Sequence, residues 1–119
     1  MGTFKKSTRV ILDKQQCYEL WIHGRNSIYD IPGILYAQGI VGKGGNPVTP
    51  QACWRSASMY ILENPDRAKV DAVSLLSQEG KILDEVEWGK EMIGRARQFL
   101  SRVKYRQFLA LHPEYRQYE

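Results

Sequence analysis

The glycine-rich loop GKGGNP, which begins at Gly42, contains the residue types that could bind a phosphate group. A nucleotide-binding P-loop needs the pattern GxxxxGK[ST], in which the lysine follows the second glycine and a hydroxyl residue reaches a metal ion. In the run from Gly39 to Gly44, Lys43 comes too early for this pattern and is followed by glycine instead of serine or threonine, which disfavours a nucleotide site. Two interpretations stay open: backbone amides and Lys43 approach a DNA phosphate, or the glycines only permit a tight connecting turn.

Cysteine and histidine, which bind zinc or act as nucleophile and base, are few and scattered in this chain. Cys17 and Cys53 each fall on the predicted apolar face of a helix, where a free thiol behaves as a small hydrophobe. His23 and His112 have no companion ligands close in sequence. The carboxylates are spread along predicted helices, without a nucleophile and base or a two-metal set. We therefore predict no metal, no cofactor and no enzymatic activity.

The composition indicates one compact soluble domain, or a small domain with a helical extension, since the 119 residues are 43% hydrophobic and 25% charged. Seventeen Lys and Arg against thirteen Asp and Glu give a net charge of +4, which suits a polyanionic partner. Residues 1–60 carry seven basic and three acidic side chains, whereas residues 61–119 carry ten of each. A stretch without acids at 92–113 is either a second nucleic-acid contact or a solvated helix face.

The sequence contains no segment that predicts insertion into a membrane. No apolar run approaches the roughly 18 to 20 residues of a transmembrane helix. The basic N-terminus MGTFKKSTRVILDK lacks an apolar stretch of signal-peptide length. We therefore expect a reduced, cytoplasmic location and no membrane partner.

Helix signals dominate, and strand signals are confined to TRVIL at 8–12 and a turn or ribbon at 40–48. Capping residues predict four helices. The first covers 14–23 after Asp13, and the second starts at Asp30. The third runs from Thr49-Pro50 to about Glu63, and the fourth from Asn64-Pro65 to Gly80. The second helix is predicted to start at Asp30 rather than Ser27, because Pro32 then falls in the first turn, where its missing N–H costs nothing.

Residues 82–111 are predicted to form one long helix or two kinked helices. Apolar residues recur three and four positions apart, at Ile82, Val86, Gly89, Ile93, Ala96, Leu100 and Val103. This spacing is compatible with a coiled-coil seam, and hence with a homo-oligomer through 82–111. The alternative is an amphipathic region that packs on its own domain.

Two short helices, a turn and a well-capped third helix have the layout of a helix-turn-helix, in which the third helix, about 50–63, lies in the major groove. Cys53, Ala57, Tyr60 and Ile61 share its apolar face, and the opposite face contains Gln51, Arg55, Ser58 and Leu62. We expect Gln51, Arg55 and Ser58 to contact bases, since Arg suits guanine and Gln suits adenine.

Phosphate contacts are expected from residues around this third helix. Thr49 and Gln51 lie at its start, where the helix dipole favours anions. The candidate cations for these contacts are Arg25, Lys43 and two lysines near the N-terminus, Lys5 and Lys6. Trp54 either stacks at the edge of this surface or fills the core.

The run GRNSIYDIPGILYAQGIVGKGGNPVTPQACWRSASMYILENP resembles the DNA-binding recombinase domain of large serine recombinases. The matching positions are Gly24, Ser27, Ile31, Leu35, Gly39-Ile40, Gly44-Gly45, Val48-Thr49, Arg55 and Asn64-Pro65. The resemblance implies a helix-turn-helix that binds double-stranded DNA. Pro32 departs from it, because the family commonly has a small residue there. Only 23 residues precede the run, so we expect no recombination by this chain alone.

The sequence therefore predicts an all-α, helix-turn-helix DNA-binding domain over residues 1–80 and a helical region over 81–119 that packs or oligomerises. A transcription regulator or a phage or mobile-element factor fits this layout, as does a phage terminase small subunit by analogy. The alternative from another class is a helical adaptor for a protein partner. Its partner surface would be a C-terminal aromatic patch of Tyr105, Phe108, Tyr115 and Tyr118.

Overall fold

The computed structural model describes residues 12–22 and 26–119, in which all regular structure is helical, as predicted. The α-helices are α1 (Lys14–Ile22), α2 (Ile31–Ala37), α3 (Pro50–Glu63), α4 (Pro65–Gln78), α5 (Glu85–Phe99) and α6 (Arg102–Leu111), with 3₁₀ segments at Lys43–Gly45 and Pro113–Tyr118. No helix in these residues is both long enough and apolar enough to cross a membrane. The predicted strand at 8–12 falls, except for Leu12, outside the described residues.

The first two helices begin at the residues that the capping signals predicted. Asp13 Oδ1 accepts a hydrogen bond from the Gln16 N–H at 3.1 Å, which satisfies one of the unpaired donors of the first turn of α1. Pro32 lies in the first turn of α2, as expected. The Asp30 carboxylate does not cap α2 but accepts from the Ser27 N–H at 3.3 Å, and this bond closes the preceding turn.

The described residues form two compact units, and the boundary lies between Tyr60 and Ile61, inside α3. We call them the N-terminal and the C-terminal unit. Helix α4 lies in the C-terminal unit. The predicted division into a domain over 1–80 and a region over 81–119 stays a prediction.

The core of the N-terminal unit joins α1 and α3. The rings of Tyr18 and Tyr60 lie 4.7 Å apart between centroids. Cys17 and Cys53 are both buried free thiols, as expected from the sequence. Burial, and then the neighbouring Cys53 side chain, raises the pKa of Cys17 to about 12, so that this thiol stays protonated at neutral pH. The two residues are therefore packing groups and not nucleophiles.

The region 82–111 contains two helices, which is one of the two arrangements predicted. Leu100 and Ser101 have extended backbone conformations, with ψ of 144° and 165°, and the Ser101 hydroxyl caps α6 by accepting from the Lys104 N–H at 3.2 Å. The predicted apolar seam is not continuously buried: Gly89, Ile93 and Ala96 are buried, whereas Ile82, Val86 and Val103 are exposed.

The C-terminal segment Pro113–Tyr118 packs on α5 and α6. Phe108 and Tyr115 are buried and stack with ring centroids 5.7 Å apart. The Trp88 indole N–H donates to the Tyr115 hydroxyl at 3.0 Å, and the Tyr118 ring lies against Gly89. Of the predicted aromatic patch, Phe108 and Tyr115 are therefore in the core of the C-terminal unit, whereas Tyr105 and Tyr118 are half-buried.

Candidate nucleic-acid interface

The N-terminus of α3 is fixed by the Thr49-Pro50 pair. Thr49 Oγ1 accepts from the Ala52 N–H at 3.1 Å, and the Thr49 carbonyl accepts from the Cys53 N–H at 3.2 Å. Pro50 has no N–H to satisfy, which suits the first helical position. The cap uses the Thr49 hydroxyl only as an acceptor, so its O–H can still donate to a phosphate, as predicted.

Only the first two turns of α3 present the predicted contact residues to solvent. Gln51 and Arg55 are exposed and, four positions apart, lie on the same face. Ser58 is fully buried and Leu62 is 4% exposed. The prediction that Ser58 contacts bases from an outward face is therefore wrong: beyond Arg55, α3 is covered on more than one side. The 3.6-residue period indicates a direction around a helix, not the length over which neighbours cover it.

The loop before α3 is a closed turn rather than an open cradle of amides. The Gly42 N–H donates to the Asn46 carbonyl at 2.6 Å, and the Gly45 N–H donates to the Gly42 carbonyl at 3.2 Å. Gly44 and Gly45 have positive φ of 71° and 79°, which explains why this turn needs two glycines. These internal bonds support the connector interpretation, and the exposed Lys43 side chain remains as a candidate phosphate contact.

An aromatic groove that was not predicted from the sequence lies beside the start of α3. Trp21 and Trp54 meet edge to face at 5.2 Å. The groove has a volume of about 520 Å³ and is lined by Trp21, Ser27, Ile28, Tyr29, Pro50, Gln51 and Trp54. Tyr29 is 75% exposed. Trp54 is thus half-buried in the wall of this groove. This position is intermediate between the two predicted alternatives, a ring at the edge of the surface and a ring in the core.

The other predicted basic contacts have different surroundings. Arg25 and the N-terminal Lys5 and Lys6 lie outside the described residues. In the stretch without acids, Arg97 donates to the Glu119 carbonyl at 3.3 Å, and burial lowers the pKa of Arg95. The exposed basic residues of this stretch are Arg97 on α5 and, on α6, Arg102, Lys104 and Arg106.

The C-terminal unit brings together three side chains that can bind metal, which the sequence did not predict. Asp66, His112 and Glu114 each offer a ligand atom, and these atoms all lie within 4.8 Å of one another. Glu114 is only two positions from His112 and was not predicted as a ligand, and Asp66, far from both in sequence, comes from the first turn of α4. This separation along the chain explains why no ligand spacing was recognised.

Comparisons with protein-family models, with curated proteins and with solved structures found no match to this chain. The resemblance to the recombinase domain of large serine recombinases therefore stays a prediction from the residues quoted above.

Proposed function

We propose that this protein binds double-stranded DNA through the N-terminal unit, with the first two turns of α3 in the major groove. The observation that carries the proposal is the exposed pair Gln51 and Arg55 at the start of a capped 14-residue helix. Recognition helices of helix-turn-helix proteins contact bases with their N-terminal residues, and this is the part of α3 that stays accessible. Gln and Arg form paired hydrogen bonds with adenine and guanine, respectively.

The distribution of charged residues along the chain also supports DNA as the partner. The seven basic side chains in residues 1–60 exceed the three acidic ones, so a polyanion is attracted to this half of the chain. Lys43 is exposed on the turn that leads into α3, where it can contact a phosphate on the flank of the groove. Such contacts fix the orientation of α3 and leave sequence discrimination to Gln51 and Arg55.

The experiment is a fluorescence-anisotropy titration of a labelled duplex of random sequence at several salt concentrations. Each phosphate contact contributes a slope of about −0.9 to the dependence of log K on log salt, so affinity should fall steeply as salt rises. Absence of binding even at low salt would reject DNA binding. The same titration with an uncharged polymer in place of the duplex is the control for nonspecific adsorption.

The aromatic groove favours a second candidate function, the binding of an extended, proline-containing segment of a protein partner. Aromatic-lined grooves bind such peptides because the polyproline helix loses little conformational entropy on binding. Tyr29→Ala should weaken peptide binding but leave duplex binding unchanged, because Tyr29 is exposed and uncharged. Fluorescence of Trp21 and Trp54 in a Trp88→Phe background reports occupancy of this groove directly. If proline-rich peptides leave that fluorescence unchanged, the second candidate fails.

A further inference from the structure

The strongest unassigned cluster of side chains lies in the C-terminal unit and contains Asp66, His112 and Glu114. Its ligand atoms lie within 4.8 Å of one another, although Asp66 is far from the other two in sequence. Asp66 belongs to the first turn of α4, His112 joins α6 to the C-terminal segment, and Glu114 lies in the first turn of that segment. We call this set the Asp66 cluster.

The imidazole of the cluster is held in place by aromatic packing. The His112 ring lies 5.3 Å from the Phe108 ring and 6.4 Å from the Tyr115 ring, measured between centroids. Its side chain remains 21% exposed, so one edge is open to solvent. A ligand with restricted rotation loses less conformational entropy on binding a cation than a free surface histidine does.

The polar atoms of the cluster are close to one another without being bonded. His112 Nδ1 lies 3.9 Å from Glu114 Oε2, which is too long for a hydrogen bond. The Asp66 carboxylate has no hydrogen-bond or ion-pair partner among the residues that the structure describes. Two carboxylates thus lie close to one imidazole.

The nearby cations on α4 are engaged elsewhere. Arg67 lies 3.8 Å from Asp71, and Lys69 pairs with Glu85. Neither pair includes Asp66 or Glu114. A bound cation would therefore displace neither of these two ion pairs, and the two carboxylates would attract it.

We propose that the Asp66 cluster binds one divalent transition-metal cation of the zinc class, with one ligand atom from each of its three residues. Imidazole with carboxylate ligands favours zinc, nickel or iron over magnesium and calcium, which prefer oxygen alone. Zinc lies about 2.0–2.2 Å from nitrogen and oxygen ligands, so small rotations of the exposed carboxylates would close the site. Three protein ligands leave a position for water. The bound cation would tie the start of α4 to the turn after α6, within one unit.

The test is isothermal titration of the full chain with zinc chloride, together with Asp66→Asn, His112→Gln and Glu114→Gln. The wild type should bind one equivalent with a dissociation constant below about 100 μM. Each substitution should weaken that binding by at least about tenfold, since loss of even outer-shell partners costs 10–100-fold. His23→Gln and Glu79→Gln change the other histidine and an exposed carboxylate outside the cluster, and they should bind as the wild type does.

Two results would overturn the site: no one-to-one binding by the wild type up to about 100 μM zinc, or equal binding by the wild type and the three variants. His112→Gln removes a packed ring and could unfold the unit, so circular dichroism accompanies each titration. Asp66 and Glu114 are exposed, so their variants should retain the fold. These two variants therefore decide the question even if His112→Gln unfolds. Zinc should also raise the melting temperature of the wild type but not that of Asp66→Asn.

Discussion

Arg55 and Lys43 have different predicted tasks on DNA, and single substitutions separate them. Arg55→Ala should cost about 1–3 kcal/mol on a duplex selected by the protein from a random pool, and less on random duplex, because base contacts carry specificity. Lys43→Ala should weaken both duplexes alike and reduce the salt slope by about one, because a phosphate contact is independent of sequence.

Anisotropy titrations of both duplexes measure these differences. Gln98→Ala, an exposed change on α5, is the control and should leave both affinities unchanged. Equal losses on the two duplexes for Arg55→Ala would remove its base-reading role while leaving DNA binding itself intact.

Gly89 illustrates how one residue permits the packing of the C-terminal unit. A Cβ atom at this position would overlap the Tyr118 ring, so Gly89→Ala forces that ring out of its place. Overpacking of this kind typically costs about 1–3 kcal/mol, which exceeds the gain of up to about 1 kcal/mol from replacing glycine within a helix. We therefore predict a lower free energy of unfolding for Gly89→Ala.

Gly94, on the same helix, provides the matched control, since a Cβ atom there meets nothing within 4 Å. Gly94→Ala should stabilise the protein by up to about 1 kcal/mol through helix propensity alone. Urea unfolding of both variants decides the matter, and a stabilised Gly89→Ala would show that Tyr118 contributes little to the fold.

At the scale of the element, the beginning of α5 depends on one side chain. Asp84 Oδ1 accepts from the N–H groups of Val86 at 3.0 Å and Glu87 at 3.1 Å. Asp84→Ala should lower the free energy of unfolding by about 1 kcal/mol, whereas Asp84→Asn keeps an acceptor and should cost much less. Urea denaturation followed by circular dichroism compares them, and equal losses for the two variants would mean that the charge, not the cap, stabilises α5.

Helix starts were predictable because a cap is local. Thr49-Pro50 and Asp13 determine where α3 and α1 begin through bonds to residues three or four positions away. Ser58 shows what the sequence leaves open, because its burial depends on residues that are distant along the chain. The same holds for the aromatic groove, whose two tryptophans come from different helices. No periodicity within one helix predicts such contacts.

At the scale of the whole molecule, the break at Leu100 and Ser101 limits how a homo-oligomer could form. A single coiled-coil seam over 82–111 would need continuous helix through these two residues, and both are extended. Ile82, Val86 and Val103 are nevertheless exposed, so apolar surface remains on this region. An oligomer through 82–111 stays a prediction, and its interface would have to use separate patches rather than one seam.

Helix α3 passes through the boundary between the units, which leads to a prediction about cooperativity. Ala57 and Ser58 are buried on one side of the boundary, and Ile61 and Leu62 on the other. A helix of 14 residues is only marginally stable without packing, so loss of either unit should destabilise the half of α3 that belongs to the other. The two units should therefore unfold together.

In Trp88→Phe, the remaining Trp21 and Trp54 report on the N-terminal unit, while far-ultraviolet circular dichroism reports on the helices of both units. Urea midpoints from the two signals should coincide, as two-state unfolding requires. The complementary variant, Trp21→Phe with Trp54→Phe, leaves Trp88 of the C-terminal unit as the reporter and should give coincident midpoints again. Separate transitions in either variant would show that the continuity of α3 is not enough to couple the units, and each unit would then have a stability of its own.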